Sequence, residues 1–390
     1  MNYSCRLAHL KSSAIRQMLK MTTERELISF AGGLPDAQLF PTNILAELAE
    51  KVIREHGRTA LQYAPTEGLL PLREKIASLL RAKGVEVGAD QILITQGSQQ
   101  GIDLLSKLLL DSGTGLLTEN PSYLGALQSF RFFEANLLSV AVDGDGMLLA
   151  DLVEVLKERP RLAYLMPNFQ NPTGVSLSME RRLMLAEIVK EHNLLVIEDN
   201  AYGELVFEGL SHPSLYGLGG TGNFMYLSSF SKIIAPGLRV AYIVADREII
   251  KKLALVKQGT DLQTNTLGQC LVYEYVRSGG HREHISLLRK TYRHRRDCMI
   301  SALETYFPET VTWNRPEGGM FLWLTLPQGS DAEDILKHCL EQDVAFVPGQ
   351  VFFPDGTGRN TMRLNFSNAA PHTIQEGIRR MGEVLKRRGI

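Results

Sequence analysis

Cysteine is scarce in this sequence. Its 390 residues hold four, Cys5, Cys270, Cys298 and Cys339, far from one another. No two of them form a CxxC pair, so neither a disulfide framework nor a thiolate zinc site is expected. Cytoplasm is the expected compartment. An excess of either charge is lacking too. Forty-two basic residues face 43 acidic ones, for a formal net charge of -1. Such a balance gives no long-range field to gather nucleic acid or an anionic membrane. No apolar run reaches the ~18 residues of a membrane span. The N-terminus interleaves basic with apolar residues and lacks the apolar stretch and cleavage site of a signal peptide. His281 and His284 lie three apart on a helical stretch with no third ligand in view. They read as a solvated face, and no metal is expected.

What is present is an alternation. A chain this long suggests about two or three domains. Seven short apolar runs read as buried strands: 91–95, 115–118, 136–142, 162–166, 194–198, 224–227 and 240–244. Stretches between several of them, such as 98–110 and 180–192, have helical spacing. This pattern predicts an α/β domain around a mostly parallel sheet with helices on both faces. A long helical stretch from about Glu248 to Ser301 follows, broken near Gly279-Gly280. The last hundred or so residues mix short strands with helices, as in a smaller α+β domain. The expected division is an N-terminal arm (1–41) belonging to the small domain, a large domain (42–284) and the rest of the small domain (285–390). Within the arm, Ser12 to Leu19 reads as a short helix carrying Arg16 beside an apolar face, and Gly32-Gly33-Leu34-Pro35 signals a loop.

Ligands of α/β sheets sit beyond the carboxyl ends of the strands, so the residues there are the first place to look. After the strand ending at Thr95 comes Gln96-Gly97-Ser98-Gln99-Gln100, opening a helix. Free N–H groups at Ser98, Gln99 and Gln100 would suit a phosphate; an ordinary turn with Ser98 as cap is the alternative. Asn171 lies five residues past Met166. Asp199 ends an apolar strand, with Tyr202 three residues on. A carboxylate so placed needs a partner or solvent, and a protonated ring nitrogen would serve. Ser228-Ser229-Phe230-Ser231-Lys232 follows another strand, and Arg239 lies beyond it. A lysine at such a place can form an imine if its surroundings favour the neutral amine. Each feature taken alone reads as structural: a cap, a turn, a solvated acid or a surface lysine. Together they supply a phosphate cradle, a pyridinium partner, ring hydrogen-bonders and an imine lysine, the parts of a pyridoxal-phosphate site.

The chain resembles the fold-type I aminotransferases along nearly its whole length, and within them the branch of 2-aminoadipate and kynurenine aminotransferases. The resemblance rests on Ser29 to Pro35 (SFAGGLP), Leu61 to Gly68 (LQYAPTEG), Thr95 to Gln100 (TQGSQQ), Glu119 to Tyr123 (ENPSY), Asn168 to Gly174 (NFQNPTG), Ser228 to Lys232 (SSFSK), Pro316 to Phe321 (PEGGMF) and Met362 to Ser367 (MRLNFS). Ala64, where the family often has glycine or serine, and Ser228, where glycine is common, are small departures.

The resemblance implies an aspartate-aminotransferase-like fold, pyridoxal 5′-phosphate as cofactor, and amino transfer from an L-amino acid to a 2-oxo acid, with 2-oxoglutarate the expected acceptor. Lys232 would be the Schiff-base lysine and proton shuttle. Asp199 would pair with the pyridine N–H⁺, Asn171 and Tyr202 with the phenolic oxygen. Tyr123 would stack on the ring, although it reads equally as a packed core tyrosine. Ser98, Gln99, Ser229, Ser231 and Arg239 would hold the phosphate. Tyr63 would reach the phosphate of a partner subunit, which implies a homodimer with shared sites. Arg363 would clamp the substrate carboxylate, with Asn171 and Gly33 also at the substrate. Arg16 would meet a distal carboxylate.

Rival readings are weaker. Gly217 to Gly222 (GLGGTG) matches a dinucleotide pattern, but a strand follows it and none precedes it, so a loop is expected. Ser229 to Lys232 matches the S-x-x-K of serine acylases, yet no Lys-Thr-Gly occurs. A regulator joining this fold to a DNA-binding winged helix is disfavoured by the balanced charge and by a start close to the arm. A β-lyase, racemase or decarboxylase would share the cofactor apparatus, and the sequence discriminates poorly among these.

Overall fold

The structure is a computed structural model that describes residues 3–4, 6–7, 27–209, 211–220 and 222–390. The expected helix at Ser12 to Leu19, with Arg16, lies outside the described residues.

Fourteen strands form three sheets among the described residues. They are β1 (Ile28–Ser29), β2 (Ile92–Thr95), β3 (Gly115–Asn120), β4 (Asn136–Asp143), β5 (Gly146–Met147), β6 (Leu162–Leu165), β7 (Leu195–Asn200), β8 (Phe224–Ser229), β9 (Ala241–Val244), β10 (Thr312–Trp313), β11 (Phe321–Thr325), β12 (Val344–Ala345), β13 (Val347–Pro348) and β14 (Thr361–Asn365). All seven apolar runs are strands of one eight-stranded sheet, in the order β2-β9-β8-β7-β6-β3-β4-β5.

Every residue of β2 and β6 is buried, while β4, next to the edge, alternates. β6 lies in the middle of the sheet, where helices cover both faces, while β2, at the opposite edge, is covered by the helices Leu70–Arg81, Ser98–Leu109 and Arg247–Gln258. The strands from β8 to β4 run parallel; β9 is antiparallel to both neighbours, and the short β5 returns antiparallel on β4. The chain moves outward through β3 and β4, then back inward through β6, β7 and β8, so the switch point lies between β3 and β6.

Helices observed at Ser98–Leu109 and Met179–Glu191 match the expected ones. The long stretch after β9 is three helices rather than two: Arg247–Gln258, Thr266–Arg277 and Gly280–Tyr306. Gly279, at φ 86°, makes the expected break. The earlier break gives no glycine-pair signal; Asn265 caps the second helix by accepting from Gly268 N–H. A smaller antiparallel sheet, β10-β11-β14-β13, stands with the helix Pro371–Arg387, which packs along Gly280–Tyr306. The arm joins this part through β1, parallel to β12.

Two expectations about the surface are corrected. His281 and His284 are both 7 % exposed, not solvated. Burial lowers their imidazole pKa values, and His284 meets Tyr275 edge-on. The GLGGTG run begins inside a short helix, Leu215–Gly219, instead of being loop throughout.

Candidate active site

The carboxyl ends of β2, β3, β6, β7 and β8 share one edge of the sheet, and the chemistry collects there. β2 passes into the helix Ser98–Leu109 through Gly97, at φ 87°. That left-handed conformation suits glycine, and space requires it as well. A Cβ at Gly97 would lie 2.3 Å from the Arg239 guanidinium. Arg239 donates to Gln96 O at 2.9 Å, so its cation sits over the turn.

The predicted nest is one donor smaller than expected. Gln100 N–H donates to Gly97 O at 3.1 Å, which leaves Ser98 and Gln99. Ser98 Oγ is buried without a partner among the described residues. On β8, Ser229 Oγ accepts from Ser231 N–H at 3.0 Å and donates to Ser231 Oγ at 2.9 Å. The Ser231 hydroxyl proton is then left to donate to a third group. A helix N-terminus, two hydroxyls and a guanidinium make a fitting phosphate site.

Tyr123 caps the helix Leu124–Phe132 from the end of β3. Its ring folds back over Gly125, where an added Cβ would come within 2.6 Å of it, and Gln99 Nε2 donates to Gly125 O at 2.9 Å. Burial raises the Tyr123 phenol pKa first, and the charge of Asp199 raises it further, while Arg363 and Arg239 lower it. The predicted ring-stacking tyrosine thus lies among the other predicted groups.

Asp199 closes the inner side. It is 2 % exposed, its Oδ2 accepts the Tyr164 hydroxyl at 2.7 Å, and its Oδ1 is buried with no partner among the described residues. Burial pushes this carboxyl up to about 6 against the pull of Tyr164. The unpartnered oxygen is what a ring N–H⁺ would satisfy. Asn171 follows β6 and donates to Tyr202 Oη at 3.4 Å. Tyr202 is buried, edge-on to Phe321 at 5.7 Å.

Lys232 follows β8 and donates to Gly33 O at 2.9 Å. Burial, then Arg363, then Arg239 lower its ammonium to about 8, which favours a nucleophilic amine near neutral pH. Arg363 on β14 is 1 % exposed. It donates to Asn171 Oδ1 at 2.7 Å and Ala31 O at 2.6 Å, while its Nε is buried without a partner among the described residues. The guanidinium lies over the rings of Phe321 and Phe352, 4.3 and 4.9 Å from their centres, and burial lowers it to about 10. Both bonded acceptors are neutral, so a carboxylate is the partner this cation lacks among the described residues.

Tyr63 stands 77 % exposed, and Gln99 and Arg239 are also exposed. Sequence reasoning passed over Tyr164, Phe321, Phe352 and the Ala31 carbonyl. Tyr164 carried no local signal: it reaches the face that Asp199 uses through the β6–β7 register, in which it lies opposite Ile197.

The class I and II aminotransferase family matches residues 27–381. A 2-aminoadipate transaminase of Thermus thermophilus is 45 % identical over 97 % of this chain and 94 % of its own. The chain belongs to the class I and II aminotransferases. It is a pyridoxal-phosphate-dependent enzyme that transfers amino groups. The solved alpha-aminoadipate aminotransferase of Thermus thermophilus, complexed with N-(5′-phosphopyridoxyl)-L-leucine, superposes with a TM-score of 0.93 at 44 % identity, covering 99 % of this chain and 97 % of that one. The kynurenine aminotransferase of Pyrococcus horikoshii, in complex with PMP, gives 0.95 at 40 %, with the same two shares covered. Unpartnered Ser98 Oγ and Asp199 Oδ1 fit the aminotransferase to its cofactor at both ends, phosphate and ring nitrogen.

Proposed function

We propose that this aminotransferase moves the amino group of an acidic, aromatic or branched-chain L-amino acid to 2-oxoglutarate, as a cytoplasmic homodimer with shared sites. The observation that carries the reading is Arg363: a buried cation bonded only to neutral oxygens among the described residues, close enough to Lys232 to lower its pKa. Its fork takes the α-carboxylate that donor and acceptor have in common, with Asn171 and Gly33 beside it.

Bound here, pyridoxal 5′-phosphate supplies an electrophilic carbon and a ring that withdraws electrons from the substrate Cα. The chain does the rest. Ser98, Gln99, Ser229, Ser231 and Arg239 hold the phosphate, and Tyr63 reaches that of the partner subunit. Asp199 keeps the ring nitrogen protonated. Asn171 and Tyr202 hold the phenolic oxygen, and Tyr123 covers the ring. Lys232 Nζ would anchor the cofactor and, as a neutral amine, would be the base that takes up and holds the substrate Cα proton.

The domain division proposed is 1–41 with 285–390 around 42–284; the helix Gly280–Tyr306 runs through the second boundary. For specificity we keep Arg16 as the reader of a distal carboxylate. The Thermus relatives support acidic donors by name and an apolar side chain by the bound leucine adduct. Arg16→Ala should raise KM for glutamate or 2-aminoadipate by about tenfold, which is ~1.4 kcal/mol, and leave leucine or phenylalanine much less affected. Equal losses for both groups would assign Arg16 to the fold or the dimer. The test of the whole reading is a screen of amino donors with 2-oxoglutarate, followed by glutamate formation. Formation from none of the acidic, aromatic or branched-chain donors would sink it.

A further inference from the structure

Asp199 is held from one side only. The Tyr164 hydroxyl donates to Oδ2 at 2.7 Å, while Oδ1 is buried and open. The sheet register explains the reach. Tyr164 lies opposite Ile197, which shares a face of β7 with Asp199. A diagonal neighbour two residues on is about 7–8 Å away, within the span of a tyrosine. Tyr164 is itself fixed: it is fully buried, and its ring meets Phe130 edge-on at 5.4 Å. Glu198, between the two in sequence, points to the other face, where it accepts from Tyr216 N–H at 2.9 Å. Tyr164 is therefore the side chain that can set the rotation of the Asp199 carboxylate.

We propose that Tyr164 is a positioning residue: by donating to Oδ2 it fixes the Asp199 carboxylate and aims the ionised Oδ1 at the cofactor's ring nitrogen. This rests on the assignment of Asp199 above. Without the phenol, the acid is free to rotate in an apolar site and gains a reason to keep its own proton, because burial disfavours its charge. A protonated, misdirected carboxyl cannot hold an N–H⁺. Arg363 and the phosphate cradle are untouched by such a change, so substrate KM values should move little while kcat falls.

The test compares pyridoxal 5′-phosphate with its deaza analogue, in which carbon replaces the ring nitrogen. Full-length enzyme is loaded with either, and the rate at which each is lost on dilution is measured. Wild type should hold the natural cofactor longer. Tyr164→Phe, which keeps the ring contacts, should narrow that preference by about tenfold, the size of a charge-assisted hydrogen bond, and leave the analogue unchanged. Asp199→Ala should remove the preference, and adding Tyr164→Phe to it should change nothing more. A Tyr164→Phe enzyme that loses both compounds faster to the same degree, or that keeps the full preference, overturns the proposal. A wild type with no preference at all would remove the Asp199 assignment and this one with it.

Discussion

Burial, Arg363 and Arg239 all disfavour the charge on Lys232. Cations gathered in one cleft are unfavourable unpaired and useful where a phosphate and a carboxylate restore the balance. Lys232→Ala should therefore lose the visible absorbance of the lysine-bound cofactor and nearly all turnover; a variant retaining both would sink the assignment of this lysine. Arg363 makes a sharper case. Truncating one member of a buried, hydrogen-bonded charge pair costs about 2–5 kcal/mol. Arg363→Ala should weaken donor and acceptor alike, because both carry the carboxylate it reads. Arg363→Lys should recover little, since a point charge cannot reproduce the fork that Asn171 and Ala31 orient. Steady-state KM values for both substrates decide the matter, and weakening of only one would contradict the role.

β7 carries two acids on opposite faces, and only one of them is near the cleft. Glu198 is fully buried, with Oε2 accepting from Tyr216 N–H and Oε1 unpartnered among the described residues. Burial pushes it up to about 7 from the usual carboxylate range. A carboxyl raised on folding binds its proton more tightly in the folded state. The cost is absent below the unfolded pKa, grows as pH rises from the unfolded to the folded value, and is full above it. Glu198→Gln should therefore stabilise the protein at pH 8, by about 3 kcal/mol, and make little difference at pH 4.5. Thermal melts of both proteins across that range check it; a gain that is larger in acid would refute it. The same strand shows what the sequence could tell. A run of apolar residues ending in Glu198-Asp199 marks a buried strand whose end must meet something polar. Alternation then separates the two acids by face. It does not say that a tyrosine from the neighbouring strand takes Asp199 Oδ2, because that depends on the β6–β7 register. The donor lost at Gln100 and the buried pair His281 and His284 were illegible for a similar reason. A hydrogen bond back to Gly97 and the packing of one helix on another are settled by tertiary contacts that local spacing does not encode.

At the scale of the molecule, the site of one chain is open on one side. Gln99 and Arg239, proposed for the phosphate cradle, are exposed, and Tyr63 projects from a surface that also exposes Leu61 and Leu70. Apolar side chains next to a solvent-exposed tyrosine suit a protein interface better than free surface. Two-fold dimers bury the same patch on both subunits, so each Tyr63 could complete the other subunit's cradle. Sequence alone suggested this exchange only through family resemblance, since no local pattern reveals which residues a second copy covers. The exchange has a consequence that separates it from Tyr63 serving its own chain. A mixed dimer of a Lys232→Ala subunit and a Tyr63→Ala subunit has one site with both defects and one site with neither. If Tyr63 served its own site, each site of the mixed dimer would carry one defect. Dissociating and reassociating the two variants together should give activity above the mean of the separate parents. Activity equal to that mean, with mixed dimers demonstrated by differently tagged subunits, would place Tyr63 outside the partner's site.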